Sequence, residues 1–212
     1  MLGMEYVSNR KSAVMYASEN GHTEVVRVLL DHGGVDINVG DINGKSAVMY
    51  ANENGHAEVV RVLLDHGGVD INVVDNNGKS AVMYASENGH TEVVRMLLDH
   101  GGVDINAGDG NRKSAVMYAS ENGHTEVVRV LLDHGGVDIN VGDINGKSAV
   151  MYANENGHAE VVRVLLDHGG VDINVVDNNG KSAVMYASEN GHTEVVRMLL
   201  DHGGVDINAG DG

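Results

Sequence analysis

Residues 45–78, KSAVMYANENGHAEVVRVLLDHGGVDINVVDNNG, form a 34-residue unit that the chain carries six times. The copies begin at Lys11, Lys45, Lys79, Lys113, Lys147 and Lys181, behind a ten-residue leader, and the last stops two residues short, at Gly212. A unit of this size cannot bury its own apolar face, so it must stack on its neighbours. The period alone therefore predicts an array built from one repeated supersecondary element.

The unit reads as helix, turn, helix, finger. Ser46 is placed as a helix N-cap, with Ala47, Val48, Met49, Tyr50 and Ala51 as a short apolar helix behind it. Asn54-Gly55 ends that helix, because glycine takes the left-handed conformation at no steric cost. Ala57 to His66 is a second helix, in which Val59, Val60, Leu63 and Leu64 make one apolar stripe. Glu58, Arg61 and Asp65 fall on its other side, spaced to pair across turns. Gly67-Gly68 closes the helix, and Val69 to Gly78, with Asp, Asn and Gly at turn spacing, is an extended finger with a tight tip.

These residues resemble an ankyrin repeat. The stretch Asn54-Gly55-His56-Ala57-Glu58-Val59-Val60-Arg61-Val62-Leu63-Leu64 is similar to the family's G-H-x-E-V-V-x-L-L-L core. Asp70-Ile71-Asn72 and Asp75-x-x-Gly78 are similar to its D-V-N and D-x-x-G. The resemblance covers 11–212 and implies an all-α solenoid of helix-turn-helix-finger repeats, 11–44, 45–78, 79–112, 113–146, 147–180 and 181–212, stacked in one curved domain. Two departures stand out. Ser46-Ala47-Val48-Met49 replaces the family's T-P-L-H, which removes the helix-starting proline and the buried histidine with its hydrogen bonds. Gly68-Val69 replaces a single alanine, giving 34 residues where 33 is usual.

Residues 11–110 recur as 113–212 without one difference, a super-period of three repeats. Identity over that length implies very recent duplication or a designed array. The leader, MLGMEYVSNR, is too short and polar for a signal peptide or membrane span. Its Asn9-Arg10 recurs as Asn111-Arg112, so it is expected to supply the end of a finger. Cysteine is absent, which makes a cytoplasmic setting the default. Each repeat carries a charge of about −3, and the chain −17. An evenly acidic surface repels phosphate backbones and anionic lipid, which excludes nucleic-acid and membrane binding and favours neutral or basic protein or peptide partners.

Sharper readings of single columns meet simpler competitors. The twelve histidines form two columns, His22 to His192 and His32 to His202. Equivalent histidines on stacked helices are about 8–10 Å apart, too far to share one ion, so no metal is expected. Asp36-Ile37-Asn38 and Asp41-Ile42-Asn43-Gly44 faintly suggest a calcium loop, but the EF-hand order of ligands and its terminal Glu are missing. Those Asp and Asn side chains are expected to bond their own backbone in turns. The tyrosine column, Tyr16 to Tyr186, is read as packing between helices, with an aromatic anchor strip for a peptide as the competing reading. No acid pair, Ser/His/Asp order or phosphate-cradling loop breaks the repeat symmetry, so neither catalysis nor a cofactor is expected.

Only seven of the 34 columns vary among the copies, and four lie in the finger, including Val39/Val73/Ala107 and Gly40/Val74/Gly108. The resemblance implies binding through fingertips and the exposed ends of the first helices. Those positions are Glu19, Asn20, Gly40, Ile42, Asn43 and Lys45, then Val74, Asn76, Asn77 and Lys79, then Gly142, Ile144, Asn145 and Lys147. The leading expectation is a non-enzymatic interaction scaffold. The alternative is a structural array that associates weakly head to tail. Its motive is that the first and last repeats carry the same apolar residues as the internal ones: Val25, Val26, Leu29 and Leu30 at one end, Val195, Leu199 and Leu200 at the other.

Overall fold

The computed structural model describes residues 9–208 and contains twelve α-helices in six pairs. The first helices of the pairs are α1 (Ala13–Glu19), α3 (Ala47–Glu53), α5 (Ala81–Glu87), α7 (Ala115–Glu121), α9 (Ala149–Glu155) and α11 (Ala183–Glu189). The second helices are α2 (Thr23–His32), α4 (Ala57–His66), α6 (Thr91–His100), α8 (Thr125–His134), α10 (Ala159–His168) and α12 (Thr193–His202). Each row stacks on itself, α1 on α3 on α5 and α2 on α4 on α6, and so on along the chain. The result is a two-layer, all-α solenoid with the core running between the rows. The tip of the sixth finger and leader residues 1–8 lie outside the described residues.

Local chemistry explains each joint. The Ser46 carbonyl accepts the Tyr50 N–H at 3.1 Å, and the Ser46 N–H donates to Met49 Sδ at 3.4 Å. Met49 has no exposed surface, so at the position of the family's histidine a soft sulfur fills the core and accepts one orphan helix-start donor. Gly55, at φ 70°, turns the chain into α4, whose start is pinned to the previous repeat. There His56 Nε2 lies 3.0 Å from the Glu19 carbonyl. A carbonyl can only accept, so this nitrogen carries the proton. The His56 ring fills the space over Gly21, where a Cβ would sit 2.7 Å from Nδ1. From His56 to His192 the first histidine column is thereby a series of inter-repeat struts.

The fingers carry the Asp and Asn turns expected of them. Asp41 Oδ1 accepts the backbone N–H of Asn43 at 2.8 Å and of Lys45 at 2.9 Å. Adjacent fingers are stitched by backbone, with Asn76 N–H donating to the Asn43 carbonyl at 2.9 Å. Asn9 does the same for the first finger, accepting from Ile42 N–H at 3.1 Å, so the leader does end as a finger. Arg10 and Arg112, at φ 54° and 62°, hold the left-handed position that glycine holds in the other described fingers. A second stitch runs at the finger base, where the Asn38 amide donates to the Gly68 carbonyl and accepts from the Asp70 N–H.

The apolar stripe on each second helix is two half-stripes. Val25, Val28 and Leu29 are exposed or half-buried in the first repeat, whereas Val59, Val62 and Leu63 are buried in the second. These positions therefore face the preceding repeat. Val26 and Leu30 are buried in the first repeat, while their counterparts Val196 and Leu200 are half-buried and exposed in the sixth. These positions face the following repeat. This corrects the end surfaces read from sequence. Val26 and Leu30, and at the other end Val195 (1% exposed) and Leu199 (0%), point inward against their neighbours and are not available at the ends. Of the residues named for that role, Val25, Leu29 and Leu200 do reach the outer faces.

Candidate functional site

Along the edge formed by the fingers and first helices, four invariant columns assemble into a ladder. The Lys45 ammonium sits 4.7 Å from the Tyr50 ring centroid and 4.2 Å from that of Tyr84 in the next repeat, and it binds the Glu53 carboxylate. Lys79 repeats this between Tyr84 and Tyr118, Lys113 between Tyr118 and Tyr152, and Lys147 between Tyr152 and Tyr186. Each partly desolvated cation–ring contact contributes about 0.5–2 kcal/mol. The four lysines stand at 8–9% exposure, their stems packed between aromatic faces.

The tyrosines close the ladder onto the fingers. Tyr50 Oη donates to Asp41 Oδ2 at 2.8 Å, and the Tyr84–Asp75, Tyr118–Asp109, Tyr152–Asp143 and Tyr186–Asp177 pairs lie at 2.6–2.8 Å. Burial, together with that hydrogen bond, pushes the Tyr50 phenol up to about 12, and the other four phenols rise for the same two reasons. Burial alone would raise Asp41, but hydrogen bonds from Lys45 N–H, Tyr50 Oη and Asn43 N–H outweigh it and hold the carboxyl below its ordinary value. Every polar group of the ladder is thus answered by another. Its chemistry is that of a rigid rail that fixes where the fingertips stand.

What the rail leaves outside is apolar. Ile42 is 46% exposed, Val74 46%, Ile144 54% and Val176 45%, in a row along the fingers, with Val39 and Val141 exposed beside them. The third finger interrupts this row with Ala107, Gly108 and Gly110. Asn43, Asn76, Asn77 and Asn145 are exposed at the tips, although their backbones are occupied in the stitches between fingers. Gly40 and Gly142 are half-buried, and a Cβ on Gly40 would stand 2.4 Å from the Gly44 backbone. The Gly40/Val74 exchange therefore alters finger backbone as well as side chain. At the first helix, Asn20 is exposed and its amide donates to the Tyr16 carbonyl at 2.8 Å, while Glu19 is half-buried against Lys11.

Lys45, Lys79 and Lys147 behave differently from the sequence reading, which has them reachable at the surface. They are buried and already paired, so they hold the tips in place. The reading also omitted Val39, Val141 and Val176 from the site, although column-by-column variation marks their places. Away from this edge, a groove of about 570 Å3 lies between α10 and α12, lined by Arg163, Thr193, Glu194, Arg197, Met198 and Asp201. Among the described residues no group of three or more His, Asp or Glu is placed to hold a metal ion, and no helix is long and apolar enough to cross a membrane.

Comparison with known proteins agrees with this geometry. The family model for ankyrin repeats in three copies matches residues 3–75, 67–143 and 136–211. Among solved structures, the chain is similar to EF0377, an ankyrin repeat protein, at 28% identity and a TM-score of 0.82, over 90% of this chain and 98% of that one. It is also similar to the ankyrin repeat domain of Bcl-3, described as a unique member of the IkappaB protein family, at 27% identity and a TM-score of 0.81. That likeness spans 93% of this chain and 89% of the Bcl-3 domain. No curated protein sequence matches the chain.

Proposed function

Because the chain belongs to the ankyrin-repeat family, whose members generally mediate protein–protein interaction, we propose that it is a non-enzymatic scaffold that binds a protein or peptide through its fingertips. The observation that carries this reading is the exposed apolar row, Ile42, Val74, Ile144 and Val176, standing on a rail of buried lysines paired with half-exposed glutamates. Solvated β-branched side chains held in fixed positions lower the ordering cost of binding. The surrounding charge of −17 favours a partner that is neutral or basic around an apolar contact strip.

The test uses the immobilised chain beside a fingertip variant with Ile42→Asp, Val74→Asp, Ile144→Asp and Val176→Asp. All four sites are about half exposed, so the variant keeps the fold, as far-UV circular dichroism will show. Proteins retained by the parent and lost by the variant support fingertip binding. Equal retention by both chains, or retention of nothing by either, counts against it.

A further inference from the structure

The third finger departs from its neighbours in shape, cover and charge. Ala107, Gly108 and Gly110 stand where the second finger has Val73, Val74 and Asn76, so the apolar row loses its side chains for the width of one finger. Backbone contacts fix this gap. A Cβ on Gly108 would lie 2.7 Å from the Arg112 backbone, and one on Gly110 3.0 Å from the Asn77 carbonyl oxygen. Beneath the gap the ladder is less covered: Tyr118 and Asp109 are half-buried, whereas Tyr84, Tyr152, Asp75 and Asp143 are buried.

Arg112 stands at the edge of this gap. Its φ of 62° is left-handed, at the place where Gly44, Gly78, Gly146 and Gly180 sit at 78–79°. A side chain there strains the backbone, so the third finger carries its cation at a cost in stability. Arg112 is exposed, and among the described residues no ion pair or hydrogen bond engages its guanidinium. The charges beside it are already occupied. Asp109 accepts the Asn111 and Lys113 N–H groups and the Tyr118 hydroxyl at 2.7–2.9 Å, and Lys113 is bound to Glu121. Arg10 holds the same place in the leader's finger, but among the described residues it has apolar tips on one side only.

We propose that this gap recognises a carboxylate: a partner segment lies along the fingertips and sets an Asp or Glu side chain on Arg112, with apolar residues on Val74 and Ile144 to either side. The inference rests on the fingertip reading above and names what that surface selects. Stacked repeats stand about 8–10 Å apart, and an extended chain advances about 3.3 Å per residue, so adjacent fingers meet residues about three apart. The segment therefore has the pattern apolar-x-x-acidic-x-x-apolar, within a partner otherwise neutral or basic. The chain's net charge of −17 repels a carboxylate, so a preference for one requires the local cation.

The test titrates the full chain against three fluorescein-labelled peptides, Lys-Ile-Ser-Ser-X-Ser-Ser-Ile-Lys with X as Glu, Gln or Lys, followed by anisotropy at ~0.15 M salt. The Glu peptide should bind about two- to fivefold tighter than the Gln peptide, as an exposed ion pair allows, and the Lys peptide weakest. Arg112→Gly should lose the preference for Glu while its urea midpoint rises, because it takes the residue that the other fingers hold. Arg112→Lys should keep the order. A purely structural Arg112 would instead leave the order unchanged in Arg112→Gly and lower the midpoint. The fingertip variant with Asp at 42, 74, 144 and 176 should lose all three peptides. If it binds them as the parent does, the fingertip reading itself fails. If it loses them, but the parent does not favour Glu over Gln or Arg112→Gly keeps that preference, the carboxylate gap alone is overturned. A parent that binds none of the three peptides overturns it as well.

Discussion

Raising the pH past 10 should unfold this protein over a narrow range, through its tyrosines. Tyr50, Tyr84, Tyr152 and Tyr186 are buried and Tyr118 half-buried, all with their hydroxyls donated to carboxylates, so the folded chain holds their protons to higher pH than the unfolded chain does. A group raised in the folded state stabilises fully below its unfolded pKa, near 10 for tyrosine, and that stability is lost as the pH climbs towards the folded value. For Tyr50, with its folded value at about 12, the loss between pH 9 and 11 is about 1.4 kcal/mol. The other four phenols are raised for the same reasons, so their losses fall in the same window and add to that of Tyr50. Urea unfolding followed by circular dichroism from pH 8 to 11.5 measures the slope, and tyrosinate absorbance in the absence of urea reports native ionisation. Replacing all five with Phe should flatten the slope even though it lowers stability at pH 7 by removing a donor from each Asp. Native tyrosines ionising near pH 10, with urea midpoints unchanged to pH 11, would refute the assignment of buried, donated phenols.

Leu97 has no exposed surface, so Leu97→Ala should cost about 2–5 kcal/mol in urea denaturation, against at most about 0.5 kcal/mol for the exposed Glu92→Ala. The same chemistry on one helix of the last repeat should divide by face. Leu199→Ala should destabilise that repeat by about 2–5 kcal/mol and Leu200→Ala by less than half as much, which hydrogen exchange of α12 will separate. Hydrogen exchange should also run fastest in repeats one and six and slowest around 79–146, since each terminal repeat rests on one neighbour instead of two. Uniform protection along the chain would contradict that order. Acid should weaken the finger attachments: Asp41 and Asp177 are held low by hydrogen bonds that outweigh burial, so their contribution is present above their ordinary pKa and lost as pH falls below it. Urea midpoints should therefore fall as the pH drops through the ordinary carboxylate range, near 4, and below it.

The helices were legible because their signals are local. The second helix runs from Ala57 to His66 as its stripe and flanking glycines dictate, and the first continues two residues past Ala51, to Glu53, before Asn54-Gly55 stops it. The Asp turns were legible for the same reason, since Asp41 reaches backbone donors two and four residues away. The division of the stripe was not. Val195 and Val196, or Leu199 and Leu200, are identical in type and adjacent in sequence, and periodicity shows only that both lie on the apolar side. Which of them meets the preceding repeat and which the following depends on how helices stack, a relation between positions 34 residues apart. Lys45 illustrates the same limit. A lysine at the foot of a finger reads as solvated, and it is buried because Tyr84, 39 residues onward, covers it.

The distribution of variation within the chain follows from that rail. Lys45, Tyr50, Glu53 and Asp75 recur unchanged in every copy, as do the histidine struts, whereas four of the seven variable columns lie in the finger outside them. The ladder residues answer one another across repeats, so changing one leaves a buried charge or phenol unpaired in its neighbour, at a cost of about 1–3 kcal/mol or more. A tip side chain such as Ile42 is about half exposed, and it can change at little cost in stability. The array thus separates the residues that hold the fingers in position from those left exposed at the tips. The interruption of the apolar row at Gly108 and Gly110 can then alter what the third finger touches without loosening the stack around it. The two hydrophobic stretches it leaves, fingers one and two and fingers four and five, are copies of one surface repeated three units apart.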